Sequence, residues 1–236
     1  MVRNIIITAG GTSERIDDVR VISNFSSGRL GLAVAESFLE SESANVEKIY
    51  YLCDRNTNAP TDERVEVVRV LGVQGLMEAL EKLLTTEKID AVIHAMAVSD
   101  YAVKQVTTLS AIRAGEEDSP GRKLSDGKIS SEVDDLVIVL KRTPKVIGEI
   151  KKLSKDTILV GFKLLTNVSK EELIGTGYRL LQKNDCDMVL ANDLTEITGD
   201  RHVGYLIEPN GDWERLETKK QIAEAIVKQV ERRLIQ

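Results

Sequence analysis

Gly10 and Gly11 stand directly behind a short apolar run, while Ser26, Ser27 and Gly28 stand directly before an amphipathic one, with Gly31 a turn further on. Glycines in the first place let a backbone come close to a ligand. A helix beginning in the second offers free N–H groups and the positive end of its dipole, which attract phosphate. The stretch from Thr8 to Gly31 therefore reads as a strand, a loop and a helix that suit a nucleotide triphosphate. A merely structural turn would need a glycine or two, but not Ser-Ser-Gly-x-x-Gly preceded by Arg20 and Asn24. Ligands of open α/β sheets bind beyond the carboxyl ends of the strands. Three further polar clusters follow apolar runs in that way: Val98 to Lys104, Phe162 to Asn167, and Asn192 with Asp193.

Two commoner glycine signatures fail. G-x-G-x-x-G occurs nowhere, although Asp54 stands where a dinucleotide fold keeps its ribose-binding acid, and no G-x-x-x-x-G-K-[ST] is present. An NAD(P)-dependent oxidoreductase on a Rossmann-like fold is the alternative, yet Lys104 follows Tyr101 one residue short of a Tyr-x-x-x-Lys pair. A non-catalytic nucleotide sensor would look the same in sequence, and only an assay separates it from an enzyme. Cys53 and Cys186 are far apart with no CxxC and are expected in the core; His94 and His202 lack metal or triad partners nearby and are not expected to be catalytic, and no metal ligand set is legible. The net charge of -6 argues against a nucleic-acid partner, whose phosphates demand concentrated Lys and Arg. The opening MVRNIIITAGG is too short for a signal-peptide core and no run has the length of a membrane span, so a cytoplasmic protein with no membrane partner is expected.

The elements that must position these residues alternate. Asn4 to Ala9, Lys48 to Leu52, Val65 to Val70, Ala91 to Ala95, Ile158 to Phe162 and Met188 to Ala191 read as buried strands. Between them Gly28 to Leu39, with Ser26 and Ser27 as N-caps, Gly72 to Leu84, a short helix opened by Thr143-Pro144, and a helix from Ser169 to about Asn184 have apolar faces at helical spacing. Such alternation predicts a doubly wound, mostly parallel α/β sheet. Tyr205 to Ile207 and Trp213 to Leu216 flank a hairpin turn at Pro209 to Asp212, and a last helix starts at Thr218. From Val103 to Arg142 the pattern breaks into a polar stretch leading to a strand at Leu136 to Leu140, too long for a plain connection. It is expected to be a lid or partner-binding arm inserted into a single domain spanning 1–236.

The motifs TAGGT, DDVRVISNFSSGRLG, HAMAVSDY, DGKIS, Thr143-Pro144, VGF and LANDL follow one another in the order found in phosphopantothenoylcysteine synthetases, and the sequence resembles that family over nearly its whole length. The resemblance implies a Rossmann-like ligase that couples 4'-phosphopantothenate to cysteine in coenzyme A biosynthesis. The substrate carboxylate attacks the nucleotide α-phosphate and the cysteine amine then attacks the acyl-nucleotide. In many bacteria this activity is the C-terminal half of a bifunctional protein whose N-terminal half is a flavin-dependent decarboxylase. The chain resembles the synthetase alone, so no flavin is implied.

Carried over residue by residue, the resemblance makes Asn24 the donor to the acyl-nucleotide and Lys128 the lysine of a lid. Arg20 becomes an anion clamp, with a structural ion pair to Asp17 or Asp18 as the alternative. Ser26, Gly28 and Gly31 would hold the triphosphate, Ala97 and Asp100 would lie against base and ribose or Asp100 would reach the metal, and Phe162, Asn192 and Lys183 would border the nucleotide. CTP is expected rather than ATP, with magnesium held by phosphate oxygens and water, and a homodimer is implied. The sequence departs from the family at VGFKLLT, where bifunctional relatives have VGFAAET, in a longer loop over 107–123, and in NFSSGR, which is closer to eukaryotic synthetases and bears on the nucleotide.

Overall fold

The computed structural model describes residues 3–115, 127–199 and 201–235. From the N-terminus, β1 (Arg3–Ala9), β2 (Ser13–Arg15) and β3 (Val21–Ser23) precede α1 (Arg29–Glu40), and β4 (Val46–Cys53), β5 (Val65–Arg69), α2 (Gly72–Thr86) and β6 (Ala91–His94) follow. An excursion comprises β7 (Tyr101–Thr108), α3 (Leu109–Arg113) and β8 (Leu136–Arg142). Alternation resumes with α4 (Ile147–Leu153), β9 (Ile158–Leu165), α5 (Lys170–Asn184) and β10 (Met188–Asp193). A 3₁₀ turn at Leu194–Glu196, β11 (Ile197–Thr198), β12 (Arg201–Ile207), β13 (Trp213–Thr218) and α6 (Lys219–Ile235) come last.

Among the described residues the main sheet has nine strands in the order β11-β12-β10-β9-β6-β1-β4-β5, with β13 beside β12. Strands β10, β9, β6, β1, β4 and β5 run parallel, as the alternation predicts, and β11 to β13 form an antiparallel margin. Parallel strands must be covered on both faces, because each crossover lays a helix across one of them. In β1, Ile5 and Ile7 face the layer of α1 and α6, Ile6 faces that of α2, α4 and α5, and all three are fully buried. The chain runs outward from β1 to β4 and β5, then returns to β6 on the other side of β1. The topological switch point, where open sheets bind ligands, therefore lies between β1 and β6.

Some local expectations are corrected. Helix α1 begins at Arg29 behind Gly28, which has φ 71 and no side-chain cap, so Ser26 and Ser27 are not N-caps. The short helix after Thr143-Pro144 starts only at Ile147, behind Val146. Thr143 instead donates its hydroxyl to the Ser99 carbonyl at 2.6 Å, pinning the end of the excursion to the loop after β6. Ser169 does cap α5, accepting from the Glu172 N–H at 3.1 Å. The excursion holds two strands rather than one: β7 and β8 pair antiparallel as a ribbon apart from the main sheet. The insertion at 107–123 lies in part outside the described residues. No helix among the described residues is long and apolar enough to cross a membrane.

Cys53 and Cys186 are buried, as expected, and so are His94 and His202. Burial pushes each imidazole from 6.5 down to about 4, helped at His202 by the nearby Lys219 charge. Between pH 6.5 and 4 the unfolded chain therefore takes up protons that the folded chain refuses. Stability is expected to fall with pH through that window, read as a decreasing melting temperature. Replacing both histidines by Gln should flatten the slope, and an unaltered slope would assign it to other groups.

Candidate functional site

The loop after β1 is set by close approaches within the protein. Gly10 has φ 84, and a Cβ there would stand 2.2 Å from Thr57 Oγ1; one on Gly28 would stand 2.5 Å from Thr57 Cγ2. A Cβ on Gly11 would meet the Asn24 carbonyl at 2.4 Å, and one on Gly31 would meet the Ala9 Cβ at 2.6 Å. Sequence reasoning assigned these glycines to a ligand's approach. The structure gives them a prior task, which is to let the loop, the start of α1 and the turn after β4 converge on Thr57. Thr57 carries no motif and was missed.

What this packing leaves open is the N-terminus of α1. Its first intrahelical bond is Leu32 N–H to the Gly28 carbonyl at 3.0 Å, so the preceding N–H groups have no partner within the helix. No side chain caps them, and no acidic residue sits in the first turn. Ser26 and Ser27 are exposed beside them. The combination of free N–H groups and dipole is a ready site for an anion.

Ala97 closes the loop against the switch point. Its N–H donates to the Gly10 carbonyl at 2.8 Å and its carbonyl accepts from Thr12 N–H at 3.1 Å, while Ser99 N–H donates to Thr12 Oγ1 at 2.9 Å. Beneath this seam Thr8 Oγ1 accepts from Met96 N–H at 3.2 Å and lies 2.9 Å from His94 Nδ1. The hydroxyl thereby joins the backbone after β6 to the buried imidazole. Asn24 N–H donates to the Thr12 carbonyl at 3.2 Å, whereas its side-chain amide makes no hydrogen bond among the described residues and stays available to a ligand.

The hairpin of β2 and β3 carries Arg20 and is fastened at several points. Ser13 Oγ donates to Asp54 Oδ2 at 3.0 Å, and Glu14 accepts from Val73 N–H at 2.8 Å, capping α2. At its tip the Asp17 side chain is fully buried. Burial alone would raise its carboxyl pKa, but N–H donors from Val19, Ile129 and Arg20, with the Arg20 charge, outweigh burial and hold it below its ordinary value. Arg20 Nη1 pairs with Asp17 Oδ2 at 2.7 Å and also donates to the Ile129 carbonyl at 3.3 Å. The structural ion pair raised from sequence thus exists, although the Arg20 side chain is still 41% exposed. Through Ile129 N–H, 3.1 Å from Asp17 Oδ2, the same carboxylate brings Lys128, exposed at its neighbour's side, to the hairpin.

The other predicted residues divide. Phe162, at the end of β9, packs on the α1 face, and Asn192, buried at the end of β10, points to that face by strand alternation and lies 3.3 Å from His202 Nε2. Asp193 draws their loops together, accepting from Thr195, Val168 and Asn167 N–H groups and from the Thr195 hydroxyl, which holds its carboxyl far below the usual range. Asp100 is exposed and ion-paired with Lys145. Lys183 is not brought to the site. It lies in the last turn of α5, which runs antiparallel to its flanking strands and so ends at their amino edge. No group of three metal-ligating side chains occurs among the described residues.

Asp17→Asn leaves too few acceptor positions for the donors gathered there. Amide exchange at Ile129 is expected to quicken by roughly tenfold. Unchanged protection would show that the segment is held by other contacts.

The model of the DNA/pantothenate metabolism flavoprotein C-terminal domain matches residues 1–120 and 118–234. The chain is 34% identical over 231 residues to the coenzyme A biosynthesis bifunctional protein CoaBC of Methanocaldococcus jannaschii, covering 97% of this chain and 50% of that one. It spans about half the length of the curated relatives it matches. The crystal structure of the DNA/pantothenate metabolism flavoprotein from Streptococcus pneumoniae superposes with a TM-score of 0.86 at 30% identity, covering 98% of this chain and 99% of that one. A Cab2 mutant in complex with phosphopantothenate-cysteine shares the fold, with a TM-score of 0.72 at 16% identity over 99% of this chain and 88% of its own. Matched from end to end, this chain belongs to the family of the DNA/pantothenate metabolism flavoprotein C-terminal domain.

Proposed function

We propose that the chain is a phosphopantothenate–cysteine ligase of coenzyme A biosynthesis, acting in the cytoplasm. The observation that carries the reading is the uncapped N-terminus of α1 at the switch point, with the unengaged Asn24 amide beside it. Family membership and the biosynthetic role named for the CoaBC relative support it. An oxidoreductase is not favoured: the Asp54 carboxylate, which would have to hold a ribose, already accepts from the Ser13 hydroxyl and from Asn56 N–H.

A carboxylate is a poor acyl donor, and the mixed anhydride formed with the nucleotide α-phosphate turns its oxygen into a good leaving group. In the first step a carboxylate oxygen of 4'-phosphopantothenate bonds to the α-phosphorus and pyrophosphate leaves. In the second the cysteine amine bonds to the acyl carbon and the nucleoside monophosphate departs. Both steps need charge stabilisation more than a nucleophilic side chain. The N–H groups of α1, with Gly10, Gly11, Ser26, Ser27, Gly28 and Gly31, receive the phosphates. Asn24 donates to the acyl oxygen, and Lys128 and Arg20 offset charge on the transferring phosphate. Ala97, Phe162 and Asn192 border the base.

CTP is the proposed nucleotide, with ATP as the alternative that Arg29 of NFSSGR keeps open, and magnesium arrives as the nucleotide complex. A homodimer is proposed through the β7–β8 ribbon, whose Tyr101, Leu136 and Leu140 are exposed. The test is to supply 4'-phosphopantothenate, cysteine, magnesium and CTP or ATP, and to follow monophosphate and pyrophosphate. Equal yields of the two are expected, and no monophosphate with either nucleotide would overturn the reading. Asn24→Ala should lower kcat by roughly a hundredfold or more with an unchanged melting temperature. A wild-type rate would remove Asn24 from the chemistry.

A further inference from the structure

On the α1 and α6 face of the sheet, Asn192 and His202 form a polar pair in which both side chains are buried. Strand β12 runs antiparallel beside β10, pairing Ala191 with Tyr205, and carries His202 three residues earlier. Between them Gly204 leaves space: a Cβ there would meet Leu190 Cδ1 at 3.0 Å and Ile222 Cδ1 at 3.2 Å, so α6 lies directly over this part of the sheet. Asn192 Nδ2 lies 3.3 Å from His202 Nε2, the one side-chain hydrogen bond that Asn192 makes among the described residues. Its neighbour in register on β9, Leu164, is exposed, so Asn192 stands where the core gives way to the open carboxyl edge. His202 Nδ1 is buried with no partner among the described residues. Burial, with the Lys219 charge at the start of α6, pushes the imidazole down to about 4, so it is neutral near pH 7. As a core filler this histidine is a poor choice, because one long hydrogen bond and an orphaned nitrogen stabilise less than an apolar side chain would. Its polar contact is directed to one group, the Asn192 amide.

We propose that His202 is a positioning residue for nucleotide selection: it fixes the rotation of the Asn192 amide, so that one end of that amide is presented to the base. The proposal rests on the reading that Asn192 borders the base. A side-chain amide is a donor at one end and an acceptor at the other, and a free one turns to suit either pattern. Held in one rotation, it satisfies only the base edge that complements it. A base with the wrong edge leaves the amide buried and unpaired, which is how a polar site discriminates between ligands of similar shape. His202 is suited to this task because its own backbone is held in the β11–β12 pair, opposite Ile197.

The test measures calorimetric binding of magnesium CTP and magnesium ATP without the acid substrate and, separately, steady-state turnover. It compares wild type, His202→Leu, His202→Gln, Asn192→Ala and the double variant of His202→Leu with Asn192→Ala. His202→Leu fills the space without the hydrogen bond and should keep or raise the melting temperature. Its Kd and KM for the preferred nucleotide are expected to rise about tenfold, with the ratio between the two nucleotides moving toward one. The kcat at saturating nucleotide and the KM for 4'-phosphopantothenate should hold, as they do when only ground-state nucleotide binding is lost. His202→Gln, whose amide reaches where Nε2 stands, should restore most of the affinity. In the Asn192→Ala background the loss of His202 should add nothing, because the two act as one pair. An unmoved nucleotide Kd in His202→Leu, no rescue by His202→Gln, additive losses in the double variant, or a wild type that binds the two nucleotides alike or binds neither would overturn the positioning role. Should His202→Leu fail to fold, His202→Met takes its place in the same cycle, with the same outcomes. A wild type that binds one nucleotide selectively and turns nothing over would remove the ligase reading, and the binding arm would then decide the role of His202 alone.

Discussion

The convergence of Gly10, Gly28 and Thr57 at the carboxyl end of β1 is the contact on which the site's geometry depends. Both glycines lie at positive φ, where a side chain is strained, and neither has room for a Cβ against Thr57. Because the three segments meet there, α1 is driven down onto β1, with Gly31 over Ala9. Its uncapped N-terminus is thereby aimed across the switch point. A side-chain cap would satisfy those N–H groups and compete with phosphate for them. The glycine cap leaves the helix end unfinished, so that a ligand can complete it.

A second layer of order is polar. Buried Asp17 would be costly alone, yet its carboxylate gathers backbone N–H groups from its own turn and from Ile129, together with the Arg20 guanidinium. The hairpin is also tied to β4 through Ser13 and Asp54 and to α2 through Glu14. The same contacts that hold the turn bring the lysine-bearing part of the excursion to the phosphate loop.

Much of this was legible in sequence, and the remainder fails for identifiable reasons. The parallel strands announce themselves as short β-branched runs, Gly10 and Gly28 stand out by type and spacing, and Asn24 is singled out by the resemblance. Thr57 and Asp17 do not, because their importance lies in contacts across the chain, such as that between Arg20 and Ile129, 109 residues apart. β2 and β3 have three residues each, too few for any periodicity to register. Tyr101–Thr108 mixes polar with apolar residues because it belongs to an exposed ribbon rather than the core. Ser26 and Ser27 have the composition of caps, but the left-handed turn at Gly28 takes the cap position. Lys183 was carried over by the resemblance alone, although α5 must end at the opposite edge of the sheet.

The central claim is that the acid is activated by its own carboxylate attacking the nucleotide α-phosphate. The most direct measurement supplies 4'-phosphopantothenate labelled with heavy oxygen in that carboxylate and locates the label by mass spectrometry after turnover. The account predicts one labelled oxygen in the nucleoside monophosphate and none in pyrophosphate. Label found in a released phosphate or pyrophosphate, or absent from the monophosphate, would contradict it.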